Sequence, residues 1–280
     1  MLQQTRVAAV IPHYCKFLKR FPSVARLAAA RESSVLALWS GLGYYRRARM
    51  LHAASKTVMK HYAGKVPDNK EEFGELPGVG RYTCSAVASI AFDEPVAVVD
   101  GNVRRVLQRL KGKAIADEEL WQVAGQLLCR ERPGDYNQAL MELGATVCLP
   151  REPKCQICPI TRECASRGPL DGTKNRREKL KRRICYTLNR RTGRVFMIKR
   201  PPDARLMPGM WELPEVAESN KIGDPFIRLR HSITITDLEV MVTQGATPAI
   251  TDGKWIKESC LRVIPLTGLA RKILRAADVI

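Results

Sequence analysis

At 280 residues, with 47 Lys and Arg against 28 Asp and Glu, the chain carries a formal net charge of +19. That length holds one or two domains with a sizeable core, and the charge favours a polyanionic partner, because phosphate contacts release counterions and dominate affinity; a merely soluble basic protein is the bland alternative. No run of 18 apolar residues occurs and the opening MLQQTRVAAVIPHYCKF lacks the basic-then-apolar order of a signal peptide, so neither a membrane span nor a secretory leader is expected.

Residues 2–20 read as an amphipathic helix with Val7, Val10, Ile11, Tyr14 and Phe17 on one face and a break or late start at Pro12. Three short helices follow: Phe21-Pro22-Ser23 caps the first, Glu32-Ser33-Ser34 precedes the second, and Gly41 and Gly43 separate it from the third. Asp68 is placed to cap a helix leading into Leu76. The stretch from Leu76 to Asn102, LPGVGRYTCSAVASIAFDEPVAVVDGN, then has the composition of a helix–hairpin–helix turn. Pro77 stops one helix, Gly78 and Gly80 permit positive φ or close backbone approach, and a buried helix starts near Arg81. Its free N–H groups and positive dipole end can hold a phosphate without any side chain. About 20 residues later Asp100 ends an apolar run, with Gly101 allowing a sharp turn. A phosphate anchor and a carboxylate at this separation suggest chemistry on a nucleic acid. Helices at Val103–Leu110, from Asp117 to Cys129 and at Tyr136–Val147 complete a half, residues 1–147, that is all-α.

The composition then changes to CLPREPKCQICPITREC. Cys148, Cys155, Cys158 and Cys164 are spaced C-x6-C-x2-C-x5-C, while the other five of the nine cysteines are scattered, which fits a reducing cytosol better than a disulfide scaffold. Four thiolates inside 17 residues call for a metal or a cluster, and the spacing alone suits zinc and a cuboidal 4Fe–4S cluster equally. Arg151, Lys154 and Arg162 lay a basic surface between them.

Residues 166–183 carry eight basic and two acidic residues, with seven Lys or Arg in the last ten; they read as a linker lying near DNA or as a solvated spacer. From Arg183 the periodicity becomes two. ICYTLNRRTGRVFMIKRP predicts two strands about a turn at Arg191-Thr192-Gly193, LMPGMWELPEV a loop with apolar anchors, and DPFIRLRHSITITDLEVMVTQG a long strand or hairpin. GKWIKES adds a strand and LTGLARKILRAADVI a closing helix, so residues 184–280 form a small α+β domain.

LQQTRV, GLGYYRRAR, LPGVGRYT, VVDGNVRRVL, NQALMELGATVC and the four-cysteine spacing together resemble the A/G-specific adenine DNA glycosylases. These belong to the helix–hairpin–helix base-excision superfamily that also holds endonuclease III. The resemblance runs through residues 1–165 and more weakly through 184–280. It implies a multidomain protein: a helical glycosylase core over 1–147, an iron–sulfur loop over 148–165 holding a 4Fe–4S cluster on the four cysteines, the basic linker, and a Nudix-like lesion-recognition domain over 184–280. It further implies a monomeric, cytoplasmic bacterial protein whose partner is double-stranded DNA bearing adenine opposite 8-oxoguanine or guanine.

Residue by residue, Asp100 matches the catalytic aspartate and Tyr82 and Asn102 the positions that hydrogen-bond around it. Asp100 could equally be a helix N-cap. The hairpin Pro77, Gly78, Val79, Gly80 and Arg81 matches the DNA anchor, Gln4 and Tyr44 the positions at the duplex gap, and Gln138 the polar residue that reads adenine; Arg151 is taken as a phosphate contact. A core aromatic is the plainer reading of Tyr44. Tyr82 stands where bifunctional relatives carry a lysine, and no lysine occurs between Lys70 and Lys111, so a monofunctional enzyme is implied. The family's general acid is a glutamate two residues before the internal Met-Leu-Gln-Gln-Thr. Met1 is that methionine here, so that glutamate is expected upstream of this chain; a mismatch-binding protein that does not cut is the alternative. Neither Glu32 nor Glu142 lies in an equivalent motif. Met207–Pro214 matches the Nudix-like domain, yet VAESNKIGDPF lacks the acidic metal-binding helix of a Nudix hydrolase, so no pyrophosphatase activity is expected. His231, Ser232 and Thr234 fall nearest the family's Phe-Ser-His-type lesion loop, with Ile235 in place of its final histidine, which implies weaker discrimination between oxidised and plain guanine.

Overall fold

The structure is a computed structural model that describes residues 1–3, 5, 7–170, 180–216, 224–233, 235–245 and 253–280. They fall into two compact units, Met1–Met59 with Arg177–Ile280, and Lys60–Arg176.

The first unit opens with α1 (Val7–Arg20), α2 (Val24–Ala28), α3 (Glu32–Trp39) and α4 (Tyr45–His61). Ser23 caps α2 as predicted, its Oγ accepting from the Arg26 N–H at 3.2 Å. Two expectations for α1 fail. The helix runs through Pro12 without a break, because Val10 and Phe17 bury on either side of it and tertiary packing outweighs one lost backbone bond. Its buried stripe is also narrower than the apolar pattern, for Val7, Ile11 and Tyr14 are each more than half exposed. Phe17 meets Phe21 and Trp39 edge-on, with ring centroids 5.1 and 6.2 Å apart. Around them Val35, Leu36, Leu42 and Tyr45 build one apolar cluster, and Met210 completes it from the far end of the chain.

The second unit holds α5 (Lys70–Gly74), α6 (Arg81–Ala91), α7 (Gly101–Lys111), α8 (Asp117–Leu127) and α9 (Pro133–Thr146). Asn69, not Asp68, caps α5. Its Oδ1 accepts from the Glu72 N–H at 2.9 Å while its Nδ2 donates to the Glu72 carboxylate at 2.9 Å, a reciprocal pair that Asp68 stands one residue too early to make. Asp117 opens α8 as its first residue, followed by Glu118 and Glu119, so three carboxylates face the positive end of the helix. Val99, Val103, Leu107, Leu120 and Val123 form the core between α7 and α8. Glycines let α9 pack close: a Cβ on Gly134 would lie 2.7 Å from the Ser89 carbonyl oxygen of α6.

The strands belong to the first unit. β1 (Leu180–Leu188), β2 (Arg190–Arg191), β3 (Arg194–Lys199), β4 (Trp211–Glu212), β5 (Glu215–Val216), β6 (Ile227–Ile233), β7 (Thr236–Gln244) and β8 (Gly253–Lys257) make two four-stranded sheets. The turn at Thr192-Gly193 forms with both residues at positive φ, but it joins β2 to β3 only. β1 instead lies in the other sheet, ordered β5-β1-β7-β6, parallel to β7 with Leu180 opposite Thr236. That is the mixed sheet a simple two-strand reading could not contain. α10 (Glu258–Leu261) and α11 (Gly268–Ala276) close the chain. Ile184, Tyr186 and Leu188 of β1, Val240 and Val242 of β7, and Ile273 and Leu274 of α11 share one core. β1 starts inside the basic stretch predicted as linker, and residues 171–179 of that stretch lie outside the described residues. Among the described residues no helix is long and apolar enough to cross a membrane.

Candidate nucleic-acid site

The hairpin between α5 and α6 forms as the glycines predict. The Val79 N–H donates to the Leu76 carbonyl at 3.0 Å, Gly78 takes φ +81°, and Gly80 caps α6 in extended geometry with backbone alone. Leu76 is buried beneath the turn, so Pro77 to Arg81 are held at the surface. Arg81 is engaged: its guanidinium bonds Glu118 at 2.6 and 3.1 Å and lies 4.2 Å from the Trp121 ring centroid.

Asp100 is the N-cap of α7. Its Oδ1 accepts from the Asn102 and Val103 N–H groups at 2.8 and 2.7 Å, and its Oδ2 accepts from Asn102 Nδ2 at 3.3 Å. The capping reading and the placement of a carboxylate at a helix N-terminus are therefore both satisfied. Tyr82, on α6, is close enough to Asp100 to be affected by it: burial first, and the Asp100 charge second, push its phenol above the ordinary value, and its OH reaches Met141 Sδ at 3.9 Å. Gln138 lies one turn before Met141 on α9, exposed, with its amide donating to the Gly134 carbonyl at 3.3 Å. Asp100 and Asn102 at the start of α7, Tyr82 on α6 and Gln138 on α9 thus come from elements joined through α9, on which α6 and α7 both pack.

Four further residues support this arrangement and escaped the sequence reading. Asn137 is buried and pins the approach to Asp100, accepting from the Val98 N–H at 3.1 Å and donating to the Val96 carbonyl at 2.9 Å. Arg105 donates to Asn102 Oδ1 at 2.9 Å, to the Cys148 carbonyl at 2.7 Å and to the Gly144 carbonyl at 2.5 Å. Arg109, one turn on and buried, donates to Cys148 Sγ at 3.3 Å, the Leu149 carbonyl at 2.7 Å and the Pro150 carbonyl at 2.9 Å. Gly144 lies against Asn102. The one available signal was the four-residue spacing of Arg105 and Arg109, which puts both on one face of α7.

Cys148, Cys155, Cys158 and Cys164 line a single cavity together with Arg109, Pro153, Lys154 and Thr161, and all four are free thiols. Cys164 Sγ also donates to the Arg109 carbonyl at 3.4 Å. Gly112, at φ +69°, brings the end of α7 against the loop, where a Cβ would lie 3.0 Å from Ala165 Cβ. Among the described residues no group of three or more His, Cys, Asp or Glu is placed to hold one metal ion. Four thiols around one cavity, with a guanidinium on one of them, suit an anionic thiolate-held group. Arg151 and Lys154 are exposed on this loop.

The remaining predicted residues lie in the first unit. Tyr44 takes φ +48°, is 56 % exposed, and lies under the Arg47 guanidinium, 4.9 Å from its ring centroid; it is not a core aromatic. His231 and Ser232 sit on β6 opposite Leu238 and Asp237. Burial, then Lys272, lowers the His231 pKa, and the Ser232 hydroxyl bonds Asp237. Ile235 is exposed at the turn of that hairpin. Gln4 and Thr234 lie outside the described residues.

Residues 1–124 match the HhH-GPD superfamily of base excision DNA repair proteins. The chain is 37% identical over 304 residues to an adenine DNA glycosylase of Mus musculus, covering 89% of this chain and 58% of that protein. An adenine DNA glycosylase of Buchnera aphidicola is 33% identical over 229 residues, with 77% of this chain and 64% of that protein covered. The chain therefore spans less than two thirds of the length of these relatives. Among solved structures, a thermostable thymine-DNA glycosylase is 31% identical with a TM-score of 0.56, covering 59% of this chain and 79% of the other. A trapped endonuclease III–DNA covalent intermediate gives 25% identity and a TM-score of 0.55 over the same shares. The helix–hairpin–helix turn, the aspartate beyond it and these similarities agree: the chain belongs to the HhH-GPD superfamily of base excision DNA repair proteins.

Proposed function

We propose that the protein is a monofunctional DNA N-glycosylase that removes adenine mispaired with 8-oxoguanine or guanine. The observation that carries this reading is the Asp100 carboxylate at the N-terminus of α7, with Tyr82 in place of a lysine beside it. An enzyme that cuts a glycosidic bond buried in a duplex must extrude the base, at a cost of a few kcal/mol. The glycine hairpin Pro77–Gly80 offers backbone N–H groups to a phosphate flanking the site. Tyr44 and Gln4 fill the gap left in the stack, which offsets part of the unstacking cost. Gln138 hydrogen-bonds the extruded adenine.

As the bond from C1′ to adenine lengthens, its electron pair leaves with the base and positive charge grows on the deoxyribose. The Asp100 carboxylate stabilises that charge, and Asn102 and the α7 backbone hold it in place. Water then adds to C1′, and the proton it loses balances the one taken up by the departing adenine, leaving an abasic site and the neutral base. The Tyr82 phenol keeps its proton at neutral pH and acts as a hydrogen-bond donor; it cannot form the Schiff base a lysine would, so the strand is left uncut.

The four cysteines would hold a 4Fe–4S cluster, which when bound cross-links residues 148–164 and presents Arg151 and Lys154 to phosphate. The sheets of the carboxy-terminal region form a Nudix-like domain without pyrophosphatase activity, in which His231, Ser232 and Thr234 meet the base opposite adenine. The protein works as a monomer on double-stranded DNA in the cytoplasm. Asp100→Asn tests the central claim on an A:8-oxoguanine duplex followed by alkali: excision should be lost while binding persists. Retained excision would refute it.

A further inference from the structure

Tyr44 sits in a turn that its own sequence does not favour. Gly41, Gly43 and Tyr44 take φ of +110°, +70° and +48°, and an aromatic residue in the left-handed region persists only where surroundings over-determine it. Within the turn Trp39 Nε1 donates to the Gly43 carbonyl at 3.1 Å, and the Gly41 N–H donates to the Tyr45 hydroxyl at 3.4 Å. Both ends of it are then tied to a single atom more than 220 residues away in the chain. The Leu266 carbonyl accepts from Ser40 Oγ at 3.0 Å and from the Tyr45 hydroxyl at 3.3 Å, so both its lone pairs are used. Ser40 Oγ in turn accepts from Arg271 Nε at 3.0 Å. Ser40, Tyr45 and Leu266 are at most 5% exposed, so these bonds work away from water.

Leu266 is itself fixed. It bridges Trp211, whose N–H donates to the Pro265 carbonyl at 2.8 Å and whose carbonyl accepts from the Thr267 N–H at 3.0 Å. Met210, fully buried, belongs to the apolar cluster that holds Trp39 and Tyr45, and Arg49 bonds the Pro208 carbonyl. The MPGMWELP segment therefore serves here as a socket for the amino-terminal helices.

We infer that Leu266, Arg271 and Tyr45 position Tyr44, so that the carboxy-terminal region governs engagement of the duplex gap through this turn, separately from its His231 hairpin. This rests on the reading that Tyr44 meets DNA. Arg271→Met removes the guanidinium and keeps the apolar stem; Tyr45→Phe removes one hydroxyl and guards against a folding defect in the first variant. In the DNA-free protein, amide hydrogen exchange over residues 41–47 should quicken about tenfold in either variant while the β1–β7 ladder stays protected. Affinity for an A:8-oxoguanine duplex should fall about fivefold, and should fall no further when Arg271→Met is added to Tyr44→Ala. Unchanged exchange at 41–47 would overturn the inference, as would losses that simply multiply. Faster exchange together with undiminished affinity in Tyr44→Ala would instead overturn the role of Tyr44 on DNA, and the functional half of the inference with it.

Discussion

Gly144 and Asn102 touch so closely that a Cβ added to Gly144 would lie 2.6 Å from Asn102 Cβ and 3.0 Å from its carbonyl carbon and oxygen. The contact is between α9 and α7, and the same Gly144 carbonyl receives Arg105, which also holds the Asn102 amide. A single methyl group here has nowhere to go without moving the residue next to Asp100.

Gly144→Ala should therefore cost about 1–3 kcal/mol of stability by overpacking. Excision should fall further than stability accounts for, because Asn102 is displaced. Single-turnover excision at a temperature where both proteins are folded checks this; equal rates would mean α9 simply slides.

Asn137→Leu keeps the volume but strands the Val98 N–H in a buried site. A lost acceptor there should cost about 1–3 kcal/mol. Chemical denaturation should show a lower midpoint with an unchanged slope, since the unfolded surface is the same.

Arg109→Leu removes the donor to Cys148 Sγ and to the Leu149 and Pro150 carbonyls together. Retention of iron should weaken by about tenfold or more, the scale of outer-shell losses at metal sites. Iron content and visible absorbance after dialysis against a chelator measure it, with Arg151→Leu as a surface control expected to keep its iron.

Tyr186 is buried, and burial first, with Glu212 and Glu215 adding to it, holds its phenol far above the usual range against the opposing pull of Arg200 and Arg182. The folded state thus keeps a proton that the unfolded state releases near pH 10. Stability from this group is complete below about pH 10 and is lost at up to about 1.4 kcal/mol per pH unit as pH rises beyond it. Melting curves between pH 9 and 11 should fall more steeply for the parent than for Tyr186→Phe.

The parts of the site readable in the sequence are those made by neighbours in the chain. A proline and two glycines make the hairpin, Asp100 followed by Gly101 makes the α7 cap, and four cysteines within 17 residues make one cavity. What stayed hidden depends on how elements approach one another. Nothing local marks Gly144 as a contact rather than a helix glycine, or Asn137 as the clasp on Val96 and Val98. β1 reads as half of a hairpin with β3 because the turn at Thr192-Gly193 is so plain, yet its apolar face is matched by β7. Likewise Val7, Ile11 and Tyr14 share the period of Val10 and Phe17, and only tertiary packing decides which of them faces inward.

The place of Met210 in the apolar cluster of Trp39, Leu42 and Tyr45 has a consequence for synthesis. The amino-terminal helices leave the ribosome without the side chain that fills their core, and at about 5–20 residues per second that gap lasts on the order of ten seconds. Through that interval Trp39, Leu42 and Tyr45 lack their closing partner, and the β1–β7 ladder cannot form before residue 244 has emerged. Newly made chains should depend on chaperones at this stage, and a ribosome stalled before Pro208 should yield nascent chains whose Trp39 is accessible to a fluorescence quencher.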